Sequence, residues 1–166
     1  MLDTVNRYMQ GLANPKDAYF LQRILNALAD RYSSQPLNSA GLVINAGGAL
    51  IAKTGAADFY ATAGGVLVKI TAGTAMPALT GINTAAGGFN VACFFVDSAG
   101  TVTVAGGTPA ATLAGVGWPQ FPVGKALIGF LIITGAGAFT GGTTALDTAT
   151  TVYISPTGPF DPTVRL

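Results

Sequence analysis

Residues 118–154 read WPQFPVGKALIGFLIITGAGAFTGGTTALDTATTVYI, and the reading of this stretch decides the fold. Prolines set its entry, and an uncharged apolar run follows from Ala126 to Thr134. After it come a Gly/Thr-rich turn region and a final strand over 151–155. Strand side chains alternate between faces. Ala126, Ile128, Phe130 and Ile132 are therefore expected on one face, and Leu127, Gly129, Leu131 and Ile133 on the other. Both sets are apolar, so both faces should be covered. A chain of 166 residues has little spare material for that. The expectation is a second protein surface, most simply another copy of the same chain.

Composition points the same way. Half of the residues are hydrophobic and only 9% are charged, against roughly 25% in an ordinary soluble domain. A surface so thinly charged would be sticky on an isolated subunit, which implies that much of it is used in assembly. The charges are also uneven. Asp3, Arg7, Lys16, Asp17, Arg23, Asp30 and Arg31 crowd the start, while the remaining residues carry only Lys53, Asp58, Lys69, Asp97, Lys125, Asp147, Asp161 and Arg165. Net charge is +1 with no basic cluster, so neither nucleic acid nor an anionic membrane is an expected partner. The start has no basic region followed by an apolar core, so no signal peptide is expected. The longest apolar run is under half a membrane span.

Residues 1–12 read as a weak helix, with Asp3 as a cap, Val5, Met9 and Leu12 on one face and Gly11 as a stop. The next helix is better marked. Asn14 suits the N-cap, Pro15 the first helical position and Asp17 the N-terminal turn. Ala18, Leu21, Leu25, Leu28 and Tyr32 then recur at spacings of three and four, an a/d stripe about two heptads long. Ile24 widens it. Two arrangements would bury this stripe: packing on the chain's own β domain, or a short helical bundle between subunits. Residues 33–39, SSQPLNS, read as a linker in which Pro36 stops the helix. The expected division is a helical segment and linker over 1–38 and a β domain over 39–166.

Beyond Gly41 the pattern is β throughout. Strands are expected over 42–45, 49–53, 59–62, 66–71, 91–96, 102–105, 126–134 and 152–155. Asp97-Ser98-Ala99-Gly100 should form a type I turn with Gly100 at positive φ. Residues 72–89 and 105–124 read as long loops rich in Gly, Ala, Pro and Thr. Short strands with this punctuation give a mainly β fold, an antiparallel β-sandwich or jelly-roll-like barrel preceded by a short helical segment.

No residue advertises chemistry. The chain has no His and no Glu, which removes Ser-His and Cys-His pairs and the commonest zinc ligand. Each isolated Asp sits at a turn or strand end, where it serves local backbone bonding. Cys93 lies inside an apolar strand and is expected to be buried and inert. Gly135-Ala136-Gly137-Ala138-Phe139-Thr140-Gly141 places its third glycine one position late for a dinucleotide loop, and no convincing helix follows. Tyr60, Trp118, Phe121 and Tyr153 could line a sugar-binding surface. In an apolar β domain without an accompanying polar cluster, such aromatics more often anchor a core or an interface. No catalytic, metal-binding or cofactor-binding residue is expected.

Two segments carry a resemblance. Pro122-Val123-Gly124-Lys125-Ala126-Leu127-Ile128-Gly129, followed by Phe139-Thr140-Gly141-Gly142-Thr143-Thr144-Ala145-Leu146-Asp147, resembles the C-terminal part of small head-decoration, cement or head-fibre proteins of tailed bacteriophages. The strand-turn-strand of 93–103 matches as well, and the likeness covers about 90–154. It implies a non-enzymatic, homotrimeric virion protein on the outer surface of an icosahedral capsid, bridging major capsid protein subunits. It carries over no catalytic or metal residue. A tail or fibre component binding a host surface glycan is the alternative. On this reading Ala18, Leu21, Leu25, Leu28 and Tyr32 serve the subunit or capsid interface. Phe94, Val96, Phe130 and Ile132 serve the β core or the trimer interface.

Overall fold

The computed structural model describes residues 15–135 and 137–160. The expected helix over 1–12 lies outside the described residues, as do the cap at Asn14 and the carboxylate of Asp161. The protein is mainly β, with antiparallel sheets and one short helix. Helix α1 (Pro15–Ser33) leads into β1 (Gln35–Pro36), β2 (Val43–Ile44), β3 (Ala52–Lys53), β4 (Phe59–Ala63) and β5 (Val66–Ile70). Then follow β6 (Asn83–Thr84), β7 (Phe89–Val96), β8 (Val102–Gly106), β9 (Ala126–Thr134), β10 (Phe139–Thr140) and β11 (Thr150–Ile154).

A four-stranded sheet in the order β11-β9-β7-β8 forms the centre, and a three-stranded sheet runs β1-β4-β5. Two-stranded pairs β2-β3 and β10-β6 complete the set. Phe59, Ala61, Ala63, Val68 and Ile70 from the three-stranded sheet share one core with Ala92, Phe94, Val96, Ala126, Ile128, Leu131 and Ile133 from the four-stranded one. The hairpin between β7 and β8 closes as its sequence requires. Gly100 sits at φ 81°, and Asp97 Oδ1 accepts the backbone N–H groups of Ala99 and Thr101 at 3.0 and 2.9 Å.

Strand β9 corrects the alternation expected of it. Phe94 pairs with Gly129 and Phe95 with Leu127, which leaves Ile128 as an extra residue, a β-bulge. The bulge flips the parity. Ala126, Ile128, Leu131 and Ile133 enter the main core, while Leu127, Phe130 and Ile132 face the other side. Beside the bulge, Gly129 admits a close approach of its neighbours, because a Cβ there would meet Ile154 O at 2.5 Å and Leu42 Cδ1 at 2.6 Å.

The expectation that a second protein must cover the far face is also corrected. Val91, Cys93, Phe95, Leu127 and Phe130 form a second apolar cluster on that face. Val116, Trp118 and Phe121 from the loop before β9 pack over it. Trp118 meets Phe130 edge-on at 4.9 Å, Phe121 meets Phe95 at 5.0 Å, and Phe160 stacks on Phe130 at 5.6 Å. The 105–124 segment, which read as a long loop, provides this cover, while Met76, Leu79 and Ile82 of 72–89 join the main core. Residues 105–124 hold the bridges Thr108↔Gly117 and Phe89↔Ala110 and a 3-10 turn at Leu113–Gly115, and 72–89 holds β6.

The expected linker is likewise partly strand. Gln35 pairs with Thr62 and Pro36 with Ala61 at an edge of the three-stranded sheet, where a proline's missing N–H costs no ladder bond.

Candidate interface

Helix α1 begins at Pro15, whose fixed φ suits the first helical position. Its C-terminus is held in place. The Ser33 carbonyl accepts the Gly65 N–H at 2.8 Å, and Ser34 Oγ accepts the Gly64 N–H at 2.9 Å. Gly64 and Gly65 form the β4–β5 turn with φ of 57° and 80°, a conformation that suits glycine. The helix is thus joined to the hairpin tip without a slack connection.

Among the described residues, most of the apolar stripe of this helix is left exposed. Leu21 and Ile24 are each 40% exposed, Leu28 36% and Tyr32 62%, and Leu25 is half-buried. Ala18 lies in the same helix, and its side chain is outside those described. None of the helix residues with described side chains is buried. Among the described residues the stripe is thus not buried on the chain's own β domain, one of the two arrangements expected. Tyr19 and Phe20 are more exposed still, and the Arg23 guanidinium lies 6.0 Å from the Tyr19 ring centroid, one helical turn away.

The β residues singled out from sequence fall in two places. Phe94 and Val96 are fully buried in the main core. Phe130 belongs to the second cluster, and Ile132 is half-buried beside it. Phe130 and Ile132 also line a cleft of about 220 Å³ with Val91, Val116, Trp118 and Ile154. The four aromatics considered for a sugar surface do not share one. Trp118 and Phe121 cover the second cluster, Tyr153 packs against the main core, and Tyr60 stands on the opposite sheet.

A second bare surface escaped the sequence reading. The outer face of the three-stranded sheet carries Leu37, Tyr60 and Leu67 at 50%, 38% and 65% exposure. Within β5, Leu67 and Lys69 are exposed while Val68 and Ile70 are buried. Only the pairing of β1 with β4 brings Leu37 beside Tyr60, through a Leu37 N–H to Tyr60 carbonyl bond of 2.9 Å.

The described carboxylates are all engaged in holding the fold. Asp58 Oδ2 lies 2.6 Å from Lys69 Nζ, and its Oδ1 accepts the Ala72 N–H at 2.9 Å. The Lys69 hydrogen bond, then the Ala72 N–H, hold the Asp58 carboxyl below its ordinary value, and Asp58 in turn raises Lys69. Asp147 Oδ2 accepts the Gly48 N–H at 2.7 Å. Cys93 is fully buried, and burial pushes its thiol up to about 12. Among the described residues no group of three or more His, Cys, Asp or Glu could hold a metal ion. The glycine-rich segment after β9 leads into β10, and Gly141 is pressed so closely on the Leu79 and Ile82 carbonyls that a Cβ has no room. No family model, curated protein or solved structure matches this chain.

Proposed function

We propose that this chain is a non-enzymatic virion structural protein, a homotrimer that sits on the outer surface of a phage capsid and bridges major capsid protein subunits. One observation carries the reading. The β body closes both faces of its central sheet with its own residues, yet Leu21, Leu28 and Tyr32 of the α1 a/d stripe stay exposed. A stripe at coiled-coil spacing is the surface by which copies of a chain cluster. The resemblance of residues 90–154 to head-decoration proteins supplies the setting. We read the two sheets around their common core as a β-sandwich, a body stiff enough to hold docking surfaces in register.

The stabilisation is burial of apolar area, roughly 25 cal/mol per Å² before association costs are deducted. Three linked copies then engage several capsid subunits together, so weak contacts combine through effective concentration. The glycan-binding alternative draws no support from the scattered placement of Tyr60, Trp118, Phe121 and Tyr153.

Light scattering on the purified chain, followed by co-sedimentation with empty phage heads, tests the reading. A trimer that coats heads is the expected result. Leu25→Asp should weaken assembly or coating by at least tenfold, about 1.4 kcal/mol. A monodisperse single subunit with no affinity for heads sinks the proposal.

A further inference from the structure

We infer that the outer face of the β1-β4-β5 sheet continues the self-association surface of α1, and that a second copy of this chain, with its helix parallel, occupies both. This rests on the self-association reading above and adds to it a specific second surface and an orientation.

Area is the first argument. The exposed parts of Leu21, Ile24, Leu28 and Tyr32 amount to on the order of 400 Å², about half of the roughly 800 Å² per partner that a specific interface buries. The stripe alone is too small. Leu37, Tyr60 and Leu67 add on the order of 300 Å², which brings the total close to that size.

Continuity is the second. The bonds from Gly65 to Ser33 and from Gly64 to Ser34 tie the end of the helix to the turn that starts β5, two residues before Leu67. Gln35 and Pro36 are already strand. A copy that lays its helix parallel therefore brings its sheet alongside. An antiparallel partner would carry its sheet to the far end of the 19-residue helix, about 28 Å away.

Charge is the third. Lys69, the cation on this face, is already paired with Asp58 at 2.6 Å and lies over the Tyr60 ring at 6.0 Å. Bringing an identical face against it leaves no lone charge to desolvate.

The experiment has two arms on the full chain. Tyr32→Cys introduces an exposed thiol at an a position, and native Cys93 is buried and does not compete. Oxidation should link position 32 of one copy to position 32 of the next, which an antiparallel pair cannot do. Sedimentation velocity over a concentration series then compares Leu67→Asp and Tyr60→Ala with Leu25→Asp, with circular dichroism confirming that each variant is folded. The expected result is a rise of tenfold or more in the dissociation constant for Leu67→Asp, and a smaller rise for Tyr60→Ala. If both assemble like wild type while Leu25→Asp does not, the helix reading stands and the sheet-face inference is overturned. If Leu67→Asp assembles normally but no longer coats phage heads, the face belongs to the capsid and the inference is again overturned. If wild type itself never assembles, the underlying self-association reading has failed and the inference falls with it.

Discussion

Strand β9 and helix α1 are both apolar stretches, and they meet opposite surroundings. The strand is covered on both faces by its own chain, Phe59 and Val68 contributing to the core on one side and Trp118, Phe121 and Phe160 closing the other. The helix shows Leu21, Ile24 and Leu28 to solvent. Hydropathy alone does not separate the two cases. The difference lies in what the intervening segments do: the loop of 105–124 folds back over β9, whereas the residues after α1 turn directly into β1 and leave its stripe behind. An apolar element that its own chain has the means to cover and does not is a better guide to assembly than apolar content.

The largest effect should come from opening the covered region. Phe94→Ala removes a fully buried ring between the sheets and should cost about 3–5 kcal/mol, read as a shift in the urea midpoint. Leu25→Asp, at a half-buried helix position, should lower subunit stability by about 1 kcal/mol, well below the Phe94→Ala loss, while disrupting assembly. Equal losses of subunit stability from both substitutions would erase the contrast between strand and helix.

Gly141→Ala is a sharper probe of the same body. The added methyl meets the Leu79 and Ile82 carbonyls, backbone atoms that do not rotate away, so a loss of about 1–3 kcal/mol is expected. Unchanged thermal unfolding would mean that the β10 connection is looser than its contacts require. Gly137→Ala, where nothing lies within 4 Å, is the matched control.

The smallest effect concerns pH. Cys93 ionises near 9.0 when unfolded and is held up to about 12 by burial in the fold. The unfolded chain therefore loses this proton first. The contribution is fully present below about pH 9 and is lost as pH rises toward 12, at up to about 1.4 kcal/mol per pH unit. Burial, and then Asp147, raise Tyr153 as well, which acts in the same direction. Urea midpoints at pH 8 and pH 10 should diverge less in Cys93→Ala than in wild type. Identical divergence would show that the thiol is not sealed under Trp118 and Phe121.

Much of this was legible from local pattern. The apolar run of 126–134, the Asp97–Gly100 turn and the helix start at Pro15 each follow from a few neighbouring residues, because alternation, turn chemistry and proline geometry are local. The face assignment within β9 was not. It depends on which residue of β7 lies opposite Gly129, and a single bulge reverses it. The two-residue strands β1, β6 and β10 were equally hidden, since each exists only through its partner. At the candidate interface the stripe itself was plain at its spacing of three and four, while its bareness was not.

By itself the sequence determined a thinly charged, mainly β chain with an amphipathic helix ahead of it, since composition and periodicity are properties of residues near one another. Only the tertiary structure decided that the loop before β9 closes one apolar face and that, among the described residues, Leu21, Ile24 and Leu28 of the helix stay exposed. Coverage depends on contacts between segments far apart in the chain, and no local pattern encodes where a distant loop comes to rest.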